Sequence, residues 1–322
     1  MMHRTNFTLS PVNALTWQQK WRKQIARKMW RDRYLYMLIL PGIVFFIIFS
    51  YFPMYGVQLA FKKYMVREGI LGSPWVGLEN FKTIFRTRDF WNAVQNTIVI
   101  SFGKIITGFP VPIILALMLN ELKSSKFRRI TQTVLYLPHF VSWIIIAALI
   151  YNLFSITSGV YGKLMISFNI EPTRILANIQ YIRAQIYISS IWKGAGWGMI
   201  IYLAAIAGID PTLYEAAMID GASRFRQVLH ITLPGLGFAI TINLILACGN
   251  VMNAGFDQIF QLYDPGTYAK ADILDTYVYR IGMINAKYEV STGIGLFKSV
   301  INFVLVIMAN SFAKMLGQEG IY

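Results

Sequence analysis

Lys104, Lys193 and Lys298 stand inside long apolar stretches, and Asn243, Asn250, Asn253 and Asn302 provide amides there. A cation or an amide at membrane depth is costly, so it faces a wet cavity or a polar partner. Trp192, Trp197 and Tyr202 add flat aromatic faces in the same stretches. These groups donate, accept and stack; they suit the reversible binding of a polar solute. Bond-breaking chemistry has little to work with. There is no His-Glu-x-x-His, no Gly-x-Ser-x-Gly and no carboxylate pair in the apolar stretches. His3, His139 and His230 are too dispersed for a catalytic cluster, and no catalytic residue or metal site is assigned. The pairs Gly103-Lys104 and Gly162-Lys163 lack the upstream glycine and following Ser/Thr of a phosphate-binding loop, so nucleotide belongs to a partner. A lone Cys248 excludes an intrachain disulfide and a multi-cysteine metal site.

These groups are carried by apolar elements. The chain is 56% hydrophobic and only 14% charged, where a water-soluble domain carries roughly 25% charged residues. Lipid in place of water over much of the surface accounts for the shortfall. A spanning helix needs about 20 mostly apolar residues. Six stretches qualify: 36–55, 93–119, 130–154, 184–209, 235–255 and 292–315. Pro41, Pro110, Pro112 and Pro138 fall in or near them, which neighbouring helices make tolerable.

The formal charge of +15 is largely a topology signal. Arg4, Lys20, Arg22, Lys23, Arg27, Lys28, Arg31 and Arg33 precede the first span, and Lys123, Lys126, Arg128 and Arg129 follow the second. The positive-inside rule puts both clusters, and with six spans both termini, in the cytoplasm. Lys62, Lys63, Arg67, Lys82, Arg86 and Arg88 oppose this from the first external loop, but the dense N-terminal cluster dominates. No basic-aromatic nucleic-acid motif accompanies the charge, so no nucleic-acid partner is expected. No cleavable signal peptide is visible. Trp17, Trp21, Ile25 and Met29 recur every four residues in the basic segment 1–35 and predict a helix lying on the inner leaflet; a solvated tail is the alternative. The body is expected over 36–316 and a tail over 317–322. External segments are expected at 56–92, 155–183 and 256–291, with a short helix over 273–283.

One segment does not look like membrane. "YEAAMIDGASRFRQVLHITLP", within the predicted cytoplasmic connection 210–234, is mixed in charge and broken by a glycine. Asp210 is a good N-cap and Pro211 a good first helical residue. Ala216 and Ala217 keep the helix thin. Gly221 suits a position past the helix end where φ is positive. Ser223 can cap a second helix running to His230, and Pro234 opens the fifth span. The expected product is a helical elbow below the membrane. It presents Tyr214, Glu215, Met218, Arg224 and Phe225. An ordinary amphipathic connection packed on its own bundle would show similar spacing.

The string itself is more specific. Glu215-Ala216-Ala217, Gly221, Ile231, Leu233 and Pro234 together resemble the coupling loop of permease subunits in binding-protein-dependent ABC importers. "LILPGIVFFIIFSYFPMYGVQLAFKKY", "GSPWVGLENFKTIF", "DFWNAVQNTIVIS", "FDQIFQLYDPG" and "DTYVYRIGM" are similar to carbohydrate importer permeases, so the resemblance runs from about Leu38 to the end. The match is to the maltose-first-permease-like side, in the branch handling complex and often acidic oligosaccharides, alginate oligosaccharides among them. Two departures stand out: Phe225 replaces the family's usual tryptophan, and Arg226 replaces a neutral residue.

The resemblance implies an all-α membrane protein with the six-helix type I ABC importer permease fold. It implies a transport subunit, not an enzyme, paired with a second permease, two ATPase subunits that bind ATP and Mg, and a periplasmic solute-binding protein. Tyr214, Glu215, Ala216, Ala217, Met218, Asp220, Gly221, Arg224 and Phe225 would couple to the ATPase. Asn250, Asn253, Lys298 and Asn302, with Trp192 and Lys193, would meet an oligosaccharide on spans four to six, where aromatic faces suit sugar rings. Each has a bland alternative: a lysine can snorkel, an asparagine can bond a neighbouring helix, a tryptophan can mark the interface. Several lysines on one path would favour an anionic sugar, because Coulomb attraction strengthens in a partly dry cavity. An ion-driven secondary carrier is the rival reading; it would use intramembrane carboxylates, which the spans lack.

Overall fold

The computed structural model describes residue 28 and residues 30–315. The expected surface helix and the C-terminal tail therefore lie outside the described residues, apart from Lys28 and the start of the first helix. The chain divides into two compact units, Met1–Val57 and Gln58–Tyr322.

In the first unit, α1 (Arg33–Phe46) runs on through a π-turn at Ile47–Tyr51 and a short turn at Phe52–Met54. No α1 side chain is buried. The π-turn ends two residues before Pro53, which has no N–H to give the carbonyl four residues back. A wide turn accommodates that missing bond without breaking the helix.

The second unit is helical, and its described residues hold only an isolated bridge between Lys62 and Trp75. After α2 (Glu79–Arg86) come α3 (Arg88–Gly108) and α4 (Pro110–Asn120), one apolar rod interrupted at Phe109 because Pro110 cannot continue the ladder. Then follow α5 (Ser125–Tyr136), α6 (Trp143–Phe154), α7 (Val160–Ser167) and the long α8 (Ile182–Ala207). The elbow is α9 (Pro211–Ile219) and α10 (Arg224–Gln227), and α11 (Gly237–Gly249) leads away from it. Finally come α12 (Phe256–Leu262), α13 (Leu274–Tyr279) and α14 (Tyr288–Met315). The short helix expected near 273–283 is α13, extended by a π-turn at Arg280–Ile284.

Four helical stretches are long and apolar enough to cross a membrane, and up to six if each of two bent pairs is one span. The bends are the main departure from the sequence reading. The stretch 130–154 is not one straight rod. A 3₁₀ turn at Leu137–Phe140, holding Pro138, and extended backbone at Val141 and Ser142 turn it through 100°. The second elbow helix does not stop at His230 either. It continues through a π-turn at Val228–Thr232 and across Pro234 to Gly235, and the 56° bend falls at Leu236. Pro234 thus sits behind a π-turn as Pro53 does, for the same reason.

Three apolar clusters hold the second unit. Ala116, Leu119, Met199, Tyr202, Ile206 and Leu236 pack where α4, α8 and the start of α11 meet. Ile100, Ile182, Ile186, Ala254 and Ile259 join α3 and α8 to α12. Phe90, Ala93, Leu274, Tyr277 and Ile294 join α3, α13 and α14.

Candidate functional site

The elbow is built by local chemistry. Asp210 Oδ1 accepts the Thr212 N–H at 2.9 Å, and Pro211 takes the first helical position, where its missing N–H costs nothing. That N–H bond holds the Asp210 carboxyl below its ordinary value. At the other end of α9, Gly221 has φ +70°. The Ala222 N–H reaches the Ala217 carbonyl at 2.8 Å and the Gly221 N–H reaches Met218 at 3.1 Å, a complete Schellman closure. Ser223 then accepts from Arg226 N–H at 3.4 Å and starts α10. Two contacts fix the angle between the arms. Tyr214 and Thr232 hydroxyls lie 2.9 Å apart, and buried Gln227 donates to the Ala222 carbonyl at 3.0 Å.

What the elbow presents is apolar. Ile219 is 86% exposed, Phe225 75%, Met218 55% and Leu213 52%. Four large apolar side chains thus stand exposed together on a short polar-flanked hairpin. Glu215 and Ala216 are exposed beside them, Ala217 is half-buried, and Glu215 makes no ion pair among the described residues. Asp220 caps the end of α9 and is exposed. Arg224 reaches Glu121 at 3.7 Å, an exposed pair that adds little. Behind the elbow a polar cleft of about 630 Å³ is lined by Glu121, Arg128, Arg129, Tyr214, Met218 and Arg224.

The groups expected to meet a solute fall in separate places. Asn250, Asn253 and Asn302 come together. Asn250 ends α11 with its amide on the Leu246 carbonyl at 2.9 Å, and Asn253 donates to Asn250 Oδ1 at 3.1 Å. Asn302 Oδ1 accepts the Met252 N–H at 3.3 Å. Asn250 and Asn253 remain exposed. Lys298, one turn before Asn302 on α14, pairs with Asp275. Lys193 instead caps the break between α5 and α6: its ammonium donates to the carbonyls of His139 at 2.7 Å, Pro138 at 3.5 Å and Val141. Trp192 lines a different, almost wholly apolar groove of about 660 Å³ with Ile146, Leu149 and Tyr161.

Several polar contacts escaped the sequence reading. His139 stacks on Trp197, centroids 4.5 Å apart and planes 5° off parallel, right at the break. The segment between α12 and α14 is pinned by charge. Arg280 grips Asp272 with two bonds of 3.1 and 2.5 Å. Burial disfavours the Arg280 charge, but Asp272 outweighs it and the guanidinium ends above its ordinary value. Buried Asn96 donates to the Tyr268, Ala269 and Asp272 carbonyls, and Arg183 donates to Asn96 Oδ1 at 2.9 Å. An asparagine in an apolar run was the available signal, but its carbonyl partners lie more than 170 positions away and Arg183 lies 87 away.

The fold is thus a set of long apolar helices with one exposed helical elbow. The chain belongs to the family described as "Binding-protein-dependent transport system inner membrane component", whose profile matches residues 108–318. Within it, the chain is a carbohydrate ABC importer permease of the inner membrane. It is 41% identical over 311 residues to the polygalacturonan/rhamnogalacturonan transport system permease protein YteP of Bacillus subtilis (strain 168), covering 97% of each chain. It is 26% identical to the arabinooligosaccharides transport system permease protein AraP of the same organism, over 97% of this chain and 98% of that one. Among solved structures it matches a chain of a bacterial alginate ABC transporter in complex with alginate pentasaccharide-bound periplasmic protein. That match has a TM-score of 0.84 and 38% identity, over 92% of this chain and 99% of that one.

Proposed function

We propose that this chain forms half of a membrane pathway that carries an acidic oligosaccharide, handed over by a periplasmic binding protein, into the cytoplasm. A second permease completes the pathway. Two ATPase subunits, which bind ATP and Mg, drive it through the elbow. Six spans place both termini and the elbow in the cytoplasm. The observation that carries the reading is the elbow: a capped helical pair whose exposed Met218, Ile219 and Phe225 have no cover among the described residues. A packed helix pair moves as a rigid body, so ATPase closure can tilt it and the helices behind it. That transmits energy only if the docked contacts differ between the inward and outward states. Glu215 supplies the acidic anchor toward a basic group of the ATPase.

The solute would pass the asparagine cluster Asn250, Asn253 and Asn302. The His139–Trp197 stack at the break of α5 and α6 offers a flat face for a sugar ring. Trp192, Lys193 and Lys298 are less suited to direct contact, because their polar ends are engaged or their surroundings apolar. Two relatives support an acidic substrate: one is named for polygalacturonan transport, the other imports alginate, an acidic polysaccharide. The test is uptake by proteoliposomes holding the complete importer, with uronate oligosaccharides set against neutral ones of equal length. Uptake that needs ATP and favours the uronate is expected. Uptake that follows an ion gradient without ATP would refute the coupling, and preference for the neutral sugar would refute the substrate class.

A further inference from the structure

The three lysines at membrane depth have different surroundings. Lys298 is neutralised by Asp275, and Lys193 is spent on the carbonyls of the α5–α6 break. Lys104 on α3 has no carboxylate partner among the described residues. Its ammonium carries three N–H groups. One goes to the Ala254 carbonyl at 2.6 Å and one to Gln258 Oε1 at 2.5 Å. The third has no acceptor among the described residues. A cation held out of water without an anion is expensive, which makes the absence of a partner informative.

Lys104 also lines a cavity of about 210 Å³ between α3, α4 and α8, with Gly108, Pro112, Tyr187, Ser190 and Gly194. That is several times the roughly 30 Å³ share of one water, enough for one ring's charged end but not for a chain. The two glycines leave the walls low. Ser190 makes no side-chain hydrogen bond to the described residues, so its hydroxyl is free to donate. Tyr187 gives its proton to the Val99 carbonyl at 3.3 Å. On its far side the ammonium packs on the turn at Gly255, whose φ is +99° and where an added Cβ would sit 2.9 Å from Nζ. This turn carries Asn253, so a ligand on Lys104 would be felt at the asparagine cluster.

We propose that Lys104 is a specificity-determining residue: its free N–H and the Ser190 hydroxyl receive the carboxylate of an acidic sugar unit in this cavity. The proposal rests on the acidic-oligosaccharide reading above. It is tested in proteoliposomes of the complete importer with a uronate trisaccharide and its carboxyl-reduced, neutral counterpart. Wild type is measured first; failure to prefer the uronate overturns the substrate reading itself. If the preference holds, Lys104→Gln, which keeps an N–H donor and loses the charge, should lower the neutral-to-uronate KM ratio about tenfold, the scale of one charge-assisted hydrogen bond. Lys104→Arg should restore most of it. Ser190→Asp, which adds a carboxylate to the cavity that Lys104 lines, should lower the ratio similarly. A ratio unmoved in both Lys104→Gln and Ser190→Asp, or equal loss for both sugars, overturns the proposal and leaves Lys104 a pin for the Gly255 turn.

Discussion

Gly221 sets the angle of the elbow, and its replacement separates coupling from folding. Its φ of +70° lies in the left-handed region, and a Cβ added there meets nothing within 4 Å. Alanine therefore costs backbone strain alone, about 1 kcal/mol, which lowers the equilibrium constant for the observed elbow geometry roughly fivefold. Proline is different in kind. It fixes φ near −65°, roughly 135° from the observed angle. It also removes the N–H that reaches Met218 at 3.1 Å. The Schellman closure cannot form, and α9 and α10 must splay. Because 210–234 contributes little to the buried clusters, membrane insertion should persist. The assay is ATPase stimulation by the loaded binding protein, and sugar uptake, in proteoliposomes holding equal amounts of assembled complex. Gly221→Ala should lose a few-fold and Gly221→Pro at least tenfold in both readouts. Full stimulation and uptake by Gly221→Pro would refute the elbow as a lever.

Charge reversal at Glu215 should likewise weaken stimulation, and a rescuing reversal on the ATPase would identify its partner. Phe225→Ala should weaken ATPase binding by about 2 kcal/mol, the scale of an aromatic anchor at an interface centre, measured by co-purification at limiting ATPase. Arg280→Ala leaves Asp272, whose side chain is 7% exposed, as a buried unpaired charge. It should destabilise the second unit by about 3 kcal/mol, seen as a lowered unfolding temperature in detergent, whereas Arg280→Ala with Asp272→Asn should recover part of it. The Asp210 cap is favoured as carboxylate, its folded pKa lying below the ordinary value. Its contribution is therefore present above roughly pH 4 and lost as pH falls through the lowered value. Asp210→Asn should keep the cap without that dependence, as proteolysis within 210–221 at pH 3 to 7 would show.

The sequence by itself determined the parts whose causes are local. Apolar runs long enough to span a bilayer are legible because the burden of burying a backbone in lipid falls on each segment separately. The elbow was legible down to single residues, since Asp210, Pro211, Gly221 and Ser223 act on groups within a few positions of themselves. Tertiary structure decided what the polar residues inside the membrane are for. Lys104 meets Ala254 across 150 positions, Lys193 finds carbonyls 52 to 55 positions away, and Lys298 finds Asp275 at 23. Read along the chain, these were three similar cations. Packed, one is neutral with its partner, one holds a bend together, and one keeps a free proton beside a cavity. The break at Pro138 was likewise visible only as a proline. What only the packed structure shows is its 100° angle and that Lys193, a full helix away, supplies a donor to the carbonyls freed there. Such pairings depend on which helices become neighbours, and no pattern within one helix encodes that.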